Sequence, residues 1–471
     1  MSSSTVFERN APEKAAVARA LDDSRHAVFW LEDAATPGHP RLGAAIDADL
    51  AIVGGGYAGL WTAIRAKERD PALRIVLLEA KTIGWAASGR NGGFVEASLT
   101  HGEANGERRW PEELAQLERL GSANLDAIAE AVERYGIAAD FERTGTLSVA
   151  VEPHQVGWLD GPGTDDDVYL DQAAVRREIA SPTFLAGRWD RRSTALVHPG
   201  KLAAELARVA ADLGVELFEH SPVRGIEDAG DRVVLRTDTA RVRAGRVALA
   251  TNVFPSLLKR NRLMTVPVYD YVLMTEPLSS PQLASIGWKN RQGLADLANQ
   301  FHYSRLSADN RILYGGYDAI YHSGGRVRPG YEERPQTYRK LASHFLTTFP
   351  QLEGVRFTHR WAGAIDTSTR FCAFFGTARR GRVAYAAGFT GLGVAATRFA
   401  ADVMLDKLAG ETTELTELRM VRERPLPFPP EPAASVGINL TRISLDRADH
   451  RNGRRNLLLK TLDAAGLGFD S

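Results

Sequence analysis

Residues 49–93 read DLAIVGGGYAGLWTAIRAKERDPALRIVLLEAKTIGWAASGRNGG, and the order of features in this stretch decides the fold. Leu50 to Val53 is an uncharged apolar run that opens onto Gly54, Gly56 and Gly59 in the spacing G-x-G-x-x-G. A buried strand turning sharply into a helix needs this pattern: the first glycine permits the turn, the second lets backbone approach a pyrophosphate, and the third lets helix and strand pack closely. The helix N-terminus then offers free N–H groups and a positive dipole end to phosphate. Leu60, Ala63, Ile64 and Ala66 mark the apolar side of that helix, and Ile75 to Leu78 form a second buried strand ending in Glu79. An acid at this distance from the third glycine can accept both ribose hydroxyls, and it disfavours a 2'-phosphate. The stretch is therefore read as a site for NAD or FAD, not NADP.

The chain has 471 residues, long enough for two domains or for one with a large insertion. Its 58 basic residues balance 58 acidic ones, so no general attraction to nucleic acid or to an acidic membrane is expected. A single cysteine, Cys372, excludes an internal disulfide and any cysteine cluster, and the eleven histidines form no H-E-x-x-H, so no metal is expected. The first thirty residues carry charges throughout, and nowhere do eighteen apolar residues run together. The expectation is a soluble cytoplasmic protein with its partner in a pocket. G-x-S-x-G and a P-loop are absent, which removes the commonest hydrolase readings.

Working outward, residues 1–45 form an N-terminal arm, with the apolar patch His26 to Leu31 expected to pack on the outside of the body. From Gly84 to Gly93 small residues surround Arg90 and Asn91, as suits backbone passing close to a flat ligand or a tight crossover between domains. Glu112 to Tyr135 has helical periodicity, as does Leu202 to Leu213; Val247 to Thr251 reads as a further buried strand of the nucleotide sheet. That domain is therefore discontinuous. Val266 to Met274, Phe301 to Leu306 and Arg311 to Tyr317 alternate with period two and predict a second, largely antiparallel sheet. Val383 to Ala387 opens onto a second glycine turn, Gly388 to Gly393, whose spacing is not a second dinucleotide fingerprint. After Gly410 the chain is charged, then Pro-rich (Pro425 to Ala434), and reads as an extended strap ending in a helical turn.

The fold class is thus α/β (α+β overall), a discontinuous Rossmann-like domain with a second, largely antiparallel domain. The boundaries are 46–105, 190–262 and 360–412 for the nucleotide domain, 106–189 and 263–359 for the substrate domain, and 413–471 for a C-terminal extension.

Four stretches, GGGYAGL with Glu79, SGRNGG at 88–93, ALATNVF at 248–254 and AAGFTGLGVA at 386–395, together resemble the D-amino-acid oxidase-like superfamily of FAD-dependent enzymes. The branch most similar is that of gamma-glutamylputrescine oxidase and the aminophosphonate oxidoreductases. The resemblance implies FAD held through Gly54, Gly56, Tyr57, Ala58, Gly59, Glu79, Ala80 and Lys81, with Ser88, Gly89, Arg90, Asn91, Gly92 and Gly93 along the flavin ring. Val223 would meet the adenine, Thr251 and Asn252 the pyrophosphate, and the turn Gly388, Thr390, Gly391, Leu392 and Gly393 the flavin N1 side, where donors offset charge. Cys372 lies nine residues past Gly363, the position that matches the flavin-linking cysteine of sarcosine oxidases, so non-covalent FAD is expected.

The resemblance further implies oxidation of a small amine by loss of hydride from the carbon next to nitrogen, hydrolysis of the imine, and oxygen as acceptor. No lysine stands near Ile312 to Tyr314, where sarcosine oxidases carry one, so a dehydrogenase of a hydroxy acid with another acceptor stays open, as does a non-catalytic flavin-binding subunit. Candidate substrate contacts are Arg90, Tyr269, Tyr271, His302, Tyr303 and Trp361; a strand tyrosine or a half-buried histidine serves packing equally well.

Overall fold

The structure is a computed structural model that describes residues 4–468. Two sheets organise it. In the first, five parallel strands lie in the order Val383–Ala387, Arg241–Leu249, Ile46–Val53, Ile75–Leu78 and Glu216–Phe218. An antiparallel hairpin, Gly225–Ala229 with Arg232–Arg236, joins the early part of Arg241–Leu249, and Phe374–Ala378 pairs antiparallel to Val383–Ala387. The strands at the centre are buried on both faces, which is why they read as uninterrupted apolar runs.

Helices Tyr57–Arg69 and Gly393–Ala409, which follow the two glycine turns, pack side by side on this sheet. Arg65 and Arg69 reach across to Asp402 and Asp406, with Arg69 donating at 2.8 and 2.6 Å. Both carboxylates are largely buried, and these pairs join the C-terminal halves of the two helices.

The second sheet has ten strands and is largely antiparallel. Its spine is the pair Thr265–Thr275 and Phe357–Ser368, in register from Thr265 opposite Ser368 to Leu273 opposite Arg360. Ile312–Gly316, His302–Leu306, Gly293–Asp296, Thr146–Ala150, Ala186–Asp190 and Asp167–Leu170 continue it. Helix Pro335–Thr348 covers its far face, with Tyr338 and Phe345 buried against Tyr271 and Tyr314.

Three features differ from the sequence reading. Strand Phe357–Ser368 hydrogen-bonds within the second sheet, although residues from 360 onward read as part of the nucleotide domain; only after Ser368 does the chain return to the parallel sheet. The N-terminal arm is built into the molecule: Trp30 is fully buried between the second sheet and the 88–93 run, and Val6 and Phe7 pack into the core beneath helix Pro335–Thr348. The Pro-rich strap leads into a helix, Ala433–Asp449, where an extended segment was expected. Its apolar residues Val436, Leu440 and Ile443 remain exposed, so burial periodicity gave no sign of it. Among the described residues no helix is long and apolar enough to cross a membrane.

Candidate functional site

The carboxyl ends of the parallel strands open into a cavity of about 1230 Å³. Ligands of open α/β sheets bind in this crevice because helix N-termini and loop amides converge there. Gly54 (φ +116°) turns the chain so tightly that a Cβ would lie 2.3 Å from the carbonyl oxygen of Ala250. At Gly59 a Cβ would lie 1.9 Å from Gly54 O, which shows how closely helix Tyr57–Arg69 is set against its strand. No side chain caps that helix. Its Tyr57 N–H donates to Ser88 Oγ at 3.0 Å, tying the first glycine turn to the 84–93 run.

Glu79 is buried and lines the cavity. Its carboxylate accepts from Gly55 N (2.7 Å), Lys81 N (2.8 Å) and Trp85 Nε1 (3.0 Å). Oε1 takes two of these bonds, and Oε2, with one, keeps acceptor capacity for a hydroxyl. The Lys81 ammonium sits 3.9 Å from the Trp85 ring centroid, and Phe254 lies against the same indole. Eight cationic side chains line the cavity (Lys81, Arg90, Arg224, Arg236, Lys259, Arg260, Arg262 and Arg379) against two carboxylates, Glu79 and Glu332. Arg224, Arg236 and Arg379 are paired with Asp238, Glu227 and Asp228 outside the lining, and the lysines and arginines that remain suit a pyrophosphate.

Of the residues expected at a dinucleotide, Gly54, Gly56, Glu79, Ala80, Lys81, Ser88, Arg90, Val223, Thr251 and Asn252 line this cavity. Asn252 adopts φ +50° at the strand end, and its Oδ1 accepts from Val253 N. Tyr57, Ala58 and Gly59 belong to the helix behind the turn; the Tyr57 hydroxyl is turned away from the cavity, donating to Pro199 O at 2.9 Å. Gly89, Asn91, Gly92 and Gly93 stand behind the wall. The Asn91 amide donates to Ala87 O and Ser88 O and accepts from Gly93 N, so this side chain shapes the run.

The second glycine turn, Gly388, Thr390, Gly391, Leu392 and Gly393, is not among the residues lining the cavity; it forms the N-terminus of helix Gly393–Ala409. Asp366 organises it. The Gly388 N–H donates to Asp366 Oδ2 at 2.6 Å, and Thr390 N–H to Asp366 O. Burial pushes the Asp366 carboxyl up to about 7, against the backbone N–H donors that favour its charged form.

The substrate candidates divide by sheet face, as period-two alternation requires. Tyr303 and Trp361 lie on the face toward the 88–93 run. Trp361 Nε1 donates to Arg90 O at 2.9 Å, and Trp30 Nε1 donates to Asn91 O at 3.0 Å. The Tyr303 hydroxyl donates to Asp270 Oδ2 at 2.5 Å, its ring set against Gly92, and burial lifts the Asp270 carboxyl to about 6. Tyr271 and His302, expected at the substrate, occupy the opposite face. Tyr271 is buried against Tyr338 and donates to Tyr331 O. His302 is buried between Asp296 (2.6 Å from Nδ1) and His344 (2.8 Å from Nε2), under Phe7. Tyr269 borders a small recess of the cavity, yet its hydroxyl is engaged by Arg328 N at 3.0 Å.

Sequence reasoning missed Trp85, Asp270, Glu332 and Asp366. Trp85, a lone indole among small residues, was visible in the quoted run; Glu332 closes a single short turn, Pro329–Tyr331, with no local signature. Cys372 is fully buried and does not line the cavity.

A family model described as DAO, FAD dependent oxidoreductase, matches residues 49–407. The gamma-glutamylputrescine oxidoreductase of Escherichia coli K12 is 31% identical over 402 residues, covering 82% of this chain and 89% of that one. Among solved structures, glycine oxidase from Geobacillus kaustophilus superposes with a TM-score of 0.63 at 20% identity, over 80% of this chain and 99% of that one. Iminodiacetate oxidase from Chelativorans gives a TM-score of 0.63 at 16% identity, over 79% and 98%. The glycine turn that admits no Cβ, the buried acid at the second strand and the cationic cavity fit the cofactor that this description names. The chain belongs to the DAO family of FAD-dependent oxidoreductases.

Proposed function

We propose that the chain oxidises a small amine, giving a carbonyl product with oxygen as the electron acceptor. The single observation that carries this reading is the cavity itself, a dinucleotide-sized cleft with a recess between Arg90, Glu332 and Ala364 at one end, next to the second sheet. Relatives named for a glutamylated amine, for glycine and for iminodiacetate support an amine as the group oxidised. FAD, when bound non-covalently, supplies the two-electron acceptor.

The residues that would hold it are Gly54, Gly56, Glu79, Ser88, Val223, Thr251 and Asn252. Glu79 would take the ribose, and the cationic rim would take the pyrophosphate. Trp361 and Trp30 fix the Arg90 and Asn91 carbonyls, so the wall at the recess is rigid, and Arg90 orients the substrate. The second sheet excludes water from the reacting carbon. Loss of two electrons and two protons from the amine leaves an imine, which water hydrolyses; oxygen takes up the electrons and protons as hydrogen peroxide.

The test is aerobic turnover of a panel of glutamylated diamines, N-methyl amino acids and aminophosphonates, with peroxide and the released nitrogen compound measured together. Equimolar release of both supports the reading. Brisk dye reduction without peroxide would place the acceptor elsewhere.

A further inference from the structure

Helix Ala433–Asp449 turns its small residues to the protein and its large apolar ones to water. It buries Ala434, Ser435, Ser444 and Ala448. At its start the Glu431 carboxylate accepts from the Gly324 N–H at 3.0 Å and from the Tyr321 hydroxyl. At its end the Asp449 carboxylate accepts from Asn299, from N at 2.9 Å and Nδ2 at 2.7 Å. These bonds hold the helix on the second domain without its large apolar residues. Val436, Leu440 and Ile443 follow at steps of four and three, which makes them a single stripe, and they remain 56%, 50% and 37% exposed. A surface helix normally turns such a stripe inward.

The patch extends beyond the stripe. The Asn456 amide donates to Ser444 Oγ at 2.9 Å, which sets the start of helix Leu457–Ala464 beside Ile443 and leaves Leu457 and Leu458 exposed. In the turn between the two helices, Gly453 lies against Trp158, whose ring a Cβ would meet at 2.9 Å. Six of the nine large apolar side chains that the described residues expose are thus gathered here, and a contiguous group of this kind marks an interaction surface. Cations border it: Arg447 continues the stripe by four residues, and Arg451, Arg454 and Lys460 are exposed as well. Of the carboxylates on the two helices, Asp449 serves Asn299 and Asp463 serves Arg455, which leaves half-buried Asp446 against four exposed cations.

We propose that this patch is a docking surface for a membrane whose lipids carry negative charge. The helix lies flat, its stripe and the two leucines entering the boundary between headgroups and acyl chains. Trp158 sits at headgroup level, where an indole is favoured, and the four cations meet lipid phosphates. No crossing segment is needed, in keeping with the lack of a membrane-spanning helix among the described residues. The zero net charge of the chain does not oppose this, because the attraction is local and decays within a Debye length, about 8 Å. A second copy fits less well: a two-fold contact repeats the same patch on both sides, and both sets of cations would meet with little to neutralise them. The docking is independent of which substrate the cavity takes.

The experiment is co-sedimentation of the flavin-loaded protein with phosphatidylcholine vesicles, made with and without phosphatidylglycerol. Wild type is compared with a stripe variant, Leu440→Ser with Ile443→Ser, and an arginine variant, Arg447→Gln with Arg451→Gln and Arg454→Gln. Wild type is expected to bind the anionic vesicles about tenfold or more tightly than the neutral ones, and to lose that preference at high salt. The stripe variant should bind anionic vesicles about tenfold or more weakly, since two apolar side chains no longer leave water. Its flavin content and Tm should match wild type, as for surface substitutions. The arginine variant should bind both kinds of vesicle alike. Wild type that stays in the supernatant with anionic vesicles would overturn the proposal, as would a stripe variant that sediments like wild type. So would a wild-type dimer in gel filtration that the stripe variant abolishes, which would give the stripe to a second copy. If a variant does not fold, the wild-type comparison of the two vesicle types decides alone.

Discussion

The indole N–H of Trp361 donates to the carbonyl of Arg90 at 2.9 Å, joining the central strand pair of the second sheet to the glycine-rich run of the first domain. Trp361 is fully buried, so the bond is shielded from water. Trp361→Phe keeps most of the ring but orphans a buried carbonyl. A loss of about 2 kcal/mol is expected, together with weaker FAD retention. Thermal unfolding of the flavin-loaded protein and flavin titration of the stripped protein check both.

Gly59 leaves no room for a methyl group, because the nearest atom is the backbone oxygen of Gly54. Gly59→Ala must push helix Tyr57–Arg69 off its strand and disturb the phosphate turn. The expected result is protein that emerges colourless from gel filtration, while Gly43→Ala, which meets nothing within 4 Å, stays yellow.

Glu79 satisfies three N–H groups at the wall of the cavity. Glu79→Ala strands those donors, at about 1–3 kcal/mol of stability each, and removes the expected ribose acceptor, so FAD affinity should fall by about tenfold or more, a hydrogen bond to a charged group contributing about 1.5–3 kcal/mol. Equilibrium dialysis of the two proteins measures it.

Asp366 gives a pH signature. Unfolded, its carboxyl loses a proton near the ordinary value of 3.8; folded, burial holds the proton up to about 7. Between those values the native state carries the extra proton, so this group's contribution to stability falls as pH rises through the window and levels off above it. Asp366→Asn removes that slope. Urea midpoints at several pH values between the two limits should show the difference between wild type and variant narrowing or reversing as pH rises.

How much of this was legible in the sequence follows from what each residue answers to. Ile75 to Leu78 was read to its observed ends because a strand buried on both faces is apolar throughout. The alternation in Thr265–Thr275 and His302–Leu306 announced strands, but period two separates faces without saying which one meets the ligand; Tyr271 and His302 lie on the other side. Trp30 was assigned to an outer arm because its partners, Asn91, Val272 and Trp361, are distant in sequence. Ala433–Asp449 escaped because a helix with an exposed apolar stripe shows no burial pattern to match.

The placement of His302 has its own test. It bridges Asp296 and His344 beneath Phe7, remote from the cavity lining. His302→Phe should destabilise by about 3 kcal/mol or more, since it takes the hydrogen-bond partner from a buried carboxylate oxygen, Asp296 Oδ2. FAD affinity should stay within about twofold, a ratio worth well under 1 kcal/mol.

The measurement that bears most directly on the account is anaerobic mixing of the flavin-loaded protein with an amine panel while absorbance is followed at about 450 nm, the flavin band of the cofactor that carries the chemistry. The account predicts bleaching by at least one of these amines, with colour restored on admitting air. A protein that takes up no FAD, or a flavin that none of these amines bleaches, would contradict it.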